Sequence, residues 1–121
     1  MRIYSTEVKE IGPKASEFLD NGMMVLFGFN APPELRPYCF LINQSELSGP
    51  IEVGDIIIID DVKYNIIYVG NQVNKNLMDL GHITINFKGQ TDTLMAGTLY
   101  IENKPINNIH VGTKITIEKL K

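Results

Sequence analysis

The 121-residue chain has no tryptophan, a single cysteine and only two histidines. Cys39 cannot close an internal disulfide, and with His82 and His110 far apart no ligand spacing of the structural-zinc kind is present. Within YCFLI, Cys39 sits among apolar residues and reads as a small buried hydrophobe. No segment approaches the roughly 20 apolar residues of a membrane-spanning helix. The opening MRIYSTEVKEIG alternates polar and apolar residues and lacks the apolar core of a secretion signal, so a cytoplasmic protein is expected. Concentrated positive charge is also missing. Eleven Lys and Arg are scattered among fourteen Asp and Glu, for a net charge of −3, which argues against binding nucleic acid. The phosphate loop, the dinucleotide fingerprint, the G-x-S-x-G elbow and the H-E-x-x-H helix are all absent, which removes the commonest enzyme signatures.

What remains is the composition of an ordinary folded protein, 44% hydrophobic and 21% charged, at a length that suits one domain over residues 1–121. Its apolar residues fall in short runs rich in Ile, Val, Tyr and Phe, punctuated by Gly, Pro, Asn and Asp. These runs predict strands over Arg2–Ile11, Met23–Gly28, Tyr38–Ile42, Asp55–Ile59, Val62–Val69, His82–Phe87, Gly97–Ile101 and Lys114–Lys119. Asp60 and Asp61, between two apolar runs, predict a hairpin. Lys14–Asp20 and Val73–Leu80 read as short helices; in the second, Val73, Leu77 and Leu80 share one face, Asn71 or Asn74 could cap the start, and Gly81 suits the end. The segments IEVGDIIII from Ile51 and IHVGTKITI from Ile109 share the pattern I-x-V-G-x-x-I-x-I. Many short strands with two short helices predict an all-β fold, a small closed or partly open β-barrel, with the echo marking two equivalent corners. An uncovered edge strand would support a homodimer.

Chemistry then rests on the histidines. In LGHITINFKG the period of two sends Ile83, Ile85 and Phe87 to the core and His82, Thr84 and Asn86 to the other face. A backbone carbonyl freed at the end of the preceding helix could accept from one ring nitrogen, fix the tautomer and leave the other nitrogen as a nucleophile suited to accepting a phosphoryl group. Spacing alone equally allows His82 to be a hydrogen-bonded strand residue without chemistry. His110, before a turn in NNIHVG, reads as structural. Asp60, Asp61, Glu34, Glu46, Asp79 and Asp92 read as solvated turn or polar-face residues. NAPPELRPYCF, with three prolines, predicts a stiff extended loop leading into a strand.

The ordered set AP-x-x-L-x-x-YCF (Ala31 to Phe40), E-L-x-G (Glu46 to Gly49), V-G (Val69 to Gly70), N-L-x-x-LGH-x-T (Asn76 to Thr84) and G-T (Gly97 to Thr98) resembles the glucitol/sorbitol-specific IIA component of the bacterial phosphotransferase system, from about Ile3 to Glu118. The resemblance implies a phosphoryl carrier without metal or organic cofactor. It would be charged on histidine by the histidine-containing phosphocarrier protein and discharge to the IIB part of a IIB/IIC membrane permease that phosphorylates a sugar alcohol. In the family pattern the phosphorylated histidine follows YCF after one apolar residue, with another histidine two residues on. Here those positions are Ile42 and Gln44. Either His82, inside the matched LGH-x-T segment, is the acceptor, with Thr84, Asn43 and Gln44 as donors to the phosphoryl oxygens if the strands are neighbours, or the chain is a IIA-like binding or regulatory module without transfer activity.

Overall fold

The computed structural model describes residues 1–88, 94–106 and 108–120. Eight strands form: β1 (Arg2–Ile11), β2 (Met23–Phe27), β3 (Phe40–Ile42), β4 (Ile56–Ile59), β5 (Val62–Val69), β6 (Ile83–Asn86), β7 (Thr98–Ile101) and β8 (Lys114–Glu118). Two helices join them, α1 (Ala15–Asp20) and α2 (Val73–Leu80). Asp60 and Asp61 both take the left-handed conformation, φ 45° and 72°, and close the β4–β5 hairpin that the sequence predicts.

The strands close a barrel in the order β1-β3-β2-β6-β7-β5-β4-β8, with β8 returning to β1. The β2–β3 and β6–β7 pairs are parallel and all others antiparallel. Closure leaves every described strand with two neighbours, so the free edge on which a strand-paired homodimer was expected is not there. Alternate residues point inward: Met24 and Leu26 on β2, Phe40 and Ile42 on β3, Ile57 and Ile59 on β4, and Ile83 and Ile85 on β6 belong to one buried core.

The echo in the sequence is the visible part of a repeat that spans the chain. Exchanging β1, α1, β2, β3 and β4 for β5, α2, β6, β7 and β8 maps the barrel order onto itself. The hydrogen bonds obey the same exchange. Gly12 N–H donates to Cys39 O and Gly70 N–H to Thr98 O. At the two corners, Gly54 N–H donates to Ile66 O at 2.9 Å and Gly112 N–H to Val8 O at 2.8 Å, both glycines having positive φ, 96° and 98°. Each corner is tied by a side chain to a backbone N–H, Asp55 Oδ2 to Glu52 at 2.8 Å and Thr113 Oγ1 to His110 at 2.9 Å.

The structure corrects three local expectations. Arg36–Tyr38 form a turn of 3-10 helix, so the proline segment is not extended throughout and the following strand starts at Phe40. No side chain caps α2, whose N-cap is Gln72. Asn74 instead holds the approach to β4, accepting from Ile51 N–H at 2.8 Å and donating to Ile51 O at 3.3 Å.

Candidate functional site

His82 stands between the end of α2 and the start of β6, on the outward face, where strand periodicity puts it. The turn before it forms because Gly81 accepts φ 67° and its N–H reaches Leu77 O at 3.0 Å, while His82 N–H reaches Asn76 O at 3.2 Å. An ideal Cβ at Gly81 would lie 3.1 Å from Gly28 N and 3.3 Å from Gly28 Cα, so the residue that follows β2 and the turn are in backbone contact.

The imidazole is fixed on two sides. Its Nδ1 lies 3.0 Å from Leu26 O, and because a carbonyl can only accept, the nitrogen carries the proton. The acceptor is therefore on β2, not at the end of the helix as the sequence suggested. The ring of Phe27 stacks on the imidazole with centroids 4.1 Å apart and planes 18° apart. Phe27 itself is anchored in a small outer apolar cluster with Ala31, Cys39 and Leu41, flanked by Val25 and Leu80. Nε2, left with its lone pair, makes no hydrogen bond among the described residues. Tyr4 Oη is the one buried side-chain N or O atom there without a partner, so Nε2 is open to solvent. A half-buried ring of fixed direction, with one fixed N–H and one open lone pair, is a nucleophile that needs no general base.

The other sequence candidates are distributed unevenly. Thr84 is half-buried on the same face of β6, two residues beyond His82. Strand β2 lies between β3 and β6, yet the chain after β3 brings Gln44 back to the end of α2. There its Nε2 donates to Met78 O and to Asp79 O, each at 2.9 Å. Asn43 is elsewhere: its carbonyl accepts from Thr6 Oγ1 at 2.7 Å, and it lines a polar cavity of about 370 Å³ with Arg2, Ser5, Ser45 and Lys114. Ile42 is fully buried in the core, with its Cδ1 3.8 Å from the Cβ position of Gly81.

Cys39 is buried as expected, its thiol donating to Leu35 O at 3.2 Å; burial pushes it up and Arg36 offsets part of that. His110 is exposed, with Nε2 3.4 Å from Asp60 Oδ2. Asp61, Glu34 and Glu46 are exposed, Asp79 pairs with Lys75 at 2.7 Å, and Asp92 lies outside the described residues. Among the described residues no group of three His, Cys, Asp or Glu is placed to hold a metal ion, and no helix is long and apolar enough to cross a membrane. Sequence reasoning passed over Asp55, a buried carboxylate paired with Lys119 Nζ at 2.7 Å. Its signal was the Asp after the corner glycine, matched by Thr113 in the echo.

Comparison with known proteins agrees with these observations. The model of the family described as the PTS system glucitol/sorbitol-specific IIA component matches residues 3–116. The PTS system glucitol/sorbitol-specific EIIA components of Shigella flexneri and Escherichia coli K12 are each 30% identical over 119 residues, covering 98% of this chain and 97% of theirs. A PTS system IIA component from Enterococcus faecalis V583, solved by crystallography, superposes with a TM-score of 0.80 at 27% identity, covering 93% of this chain and 97% of that one.

Proposed function

The chain belongs to the glucitol/sorbitol-specific IIA component family of the phosphotransferase system, and on that premise we propose that it is a cytoplasmic phosphoryl carrier whose acceptor is Nε2 of His82. The observation that carries the residue assignment is the Nδ1–H···O bond to Leu26 together with the open Nε2. The donor is the phosphohistidine of the histidine-containing phosphocarrier protein, and the recipient is the IIB part of the permease. In the first transfer the Nε2 lone pair of His82 attacks phosphorus and an N–P bond forms as the donor's N–P bond breaks, the donor nitrogen leaving with its electron pair. The Nδ1 proton of His82 stays in place, and Leu26 O stabilises the positive character that the ring gains. The second transfer reverses these roles. Thr84 is the nearest hydroxyl along the strand for a phosphoryl oxygen, and no hydrogen bond occupies it among the described residues. Phe29 and Met78, 46% and 51% exposed, flank the turn and offer apolar surface to a protein donor.

Incubation with phosphoenolpyruvate, enzyme I and the phosphocarrier protein is expected to give an acid-labile, base-stable phosphoprotein mapped to His82 by mass spectrometry. Full labelling of a His82→Gln variant refutes the residue assignment. The absence of any label on the parent chain, with binding to a IIB domain retained, favours the alternative of a non-catalytic IIA-like module. That alternative has one observation behind it, the fully buried Ile42 at the family's acceptor position.

A further inference from the structure

We propose that Gln44 is a positioning residue for His82, acting as a side-chain clamp on the carbonyl end of α2. Its use in phosphoryl transfer rests on His82 being the acceptor; the clamp itself does not.

The last carbonyls of a helix have no partner within it, and how they are satisfied fixes the chain that follows. At the end of α2 all five are accounted for. Asn76 O accepts from His82 N–H and Leu77 O from Gly81 N–H; Leu80 O accepts from Gly28 N–H at 3.0 Å. Met78 O and Asp79 O each accept one hydrogen of the Gln44 amide at 2.9 Å. Gln44 is the one side chain in the set, and it ties the turn to the segment after β3. Four anchors therefore hold the stretch from Met78 to His82 that carries the imidazole: two turn bonds, the Gly28 N–H just after β2 and this amide.

The other half of the barrel supplies an internal control. There Gly22, two residues past the end of α1, takes the place of Gly81, and Met23 stands where His82 stands. The counterpart of Gln44 is Asn103, one methylene shorter. Its side chain makes no hydrogen bond to α1 among the described residues, and the same place is an open cavity of about 430 Å³ between Asp20, Asn21, Phe87 and Asn103. The clamp is closed only in the half that carries the histidine.

Small displacements of a nucleophile cost rate steeply. A Gln44→Met variant keeps the length and loses both donors; it is expected to accept phosphate about tenfold or more slowly, while retaining the barrel. Gln44→Lys returns N–H donors, and a cation suits this end of a helix, so it is expected to recover most of the rate. Nitrogen-15 NMR of the His82 ring, and amide exchange at Gly81 and His82 relative to the barrel strands, give the readout that a general loss of stability would not mimic. Gln44→Met should lower the Nδ1–H tautomer fraction and speed exchange at these two amides, and Gln44→Lys should reverse both. Unchanged tautomer and exchange in Gln44→Met, or no recovery in Gln44→Lys, overturns the proposal. If the parent chain is never labelled, the phosphoryl reading fails, and these NMR measurements still decide the clamp.

Discussion

Replacing Gly81 by alanine tests whether the turn before His82 is held by backbone contact or merely by glycine's conformational freedom. The residue sits at φ 67°, and an L side chain there costs about 1–2 kcal/mol. The new Cβ would also lie 3.1 Å from Gly28 N, an atom that cannot easily retreat because its N–H holds Leu80 O at 3.0 Å. Displacing that hydrogen-bonded backbone adds about 1–2 kcal/mol, in the lower part of the range for overpacking. Gly81→Ala is therefore expected to cost about 2–4 kcal/mol, or roughly 8–16 °C in Tm at about 4 °C per kcal/mol for a domain of this size. Gly22, its counterpart after α1, has φ 82°, but its Cβ would meet no backbone, only the exposed side chain of Lys88, 2.5 Å away at Cγ, which has to turn about its first side-chain bond to make room. Gly22→Ala should lose only the conformational part, about 1–2 kcal/mol. Urea titrations of both variants at an unchanged m-value read the difference. Equal costs would refute the argument from backbone contact.

Asp55 titrates below the usual carboxylate range. Burial raises it, but the bond and charge of Lys119 and the N–H groups of Glu52 and Leu120 outweigh that. The folded state thus binds this proton less readily than the unfolded one, so its stabilisation is complete above the ordinary value near 4 and fades as the pH falls below it. Asp55→Asn should be about 1–3 kcal/mol less stable at neutral pH, the gap closing toward pH 3; a gap independent of pH in thermal melts speaks against the ion pair. The Tyr4 hydroxyl is buried with no hydrogen-bond partner among the described residues, and burial pushes it up to about 12, the neighbouring Thr6 offsetting part of the rise. Tyr4→Phe is accordingly expected to leave stability unchanged or raise it by about 1 kcal/mol, and a loss above that in urea titration would show that the hydroxyl has a role.

The strands were legible because a half-buried strand must alternate and because β-branched residues dominate the runs. HITINF gave the right face for His82 without any knowledge of its neighbours. What could not be read were contacts between distant segments. Leu26 O, the partner of Nδ1, belongs to a strand 56 residues earlier in the chain, and only the antiparallel β2–β6 register, with Leu26 opposite Ile83, brings it there. The helix carbonyls expected to serve instead are consumed by Gln44, Gly28 and the turn itself. Asn74 looked like a cap because local sequence cannot show that Ile51 offers a better pair of backbone groups. The echo at Ile51 and Ile109 was seen only where identical residues survive; elsewhere the two halves share hydrogen bonds while differing in side chains.

That difference is where the proposed site resides. A barrel built from two equivalent halves supplies two helix ends, two glycine turns and two strands that start at them, so the scaffold by itself offers two equivalent places. One has Met23 after the glycine turn and Lys88 and Asn103 lining an open cavity; the other has His82, Phe29 and Gln44 at a closed turn. Ile42 and its counterpart Ile101 are both fully buried, so at that position the halves remain alike and apolar. A nucleophile at position 42 would have to place a polar ring in the barrel core, at a cost of roughly 1–3 kcal/mol unless it found a partner. At position 82 the ring lies outside that core, on Phe27, with a carbonyl already aimed at its Nδ1. The asymmetry of a few side chains on a symmetric frame, with Phe27 on β2 where the other half has Asn86 on β6, therefore gives one half a fixed imidazole while the strand order that carries it stays the same.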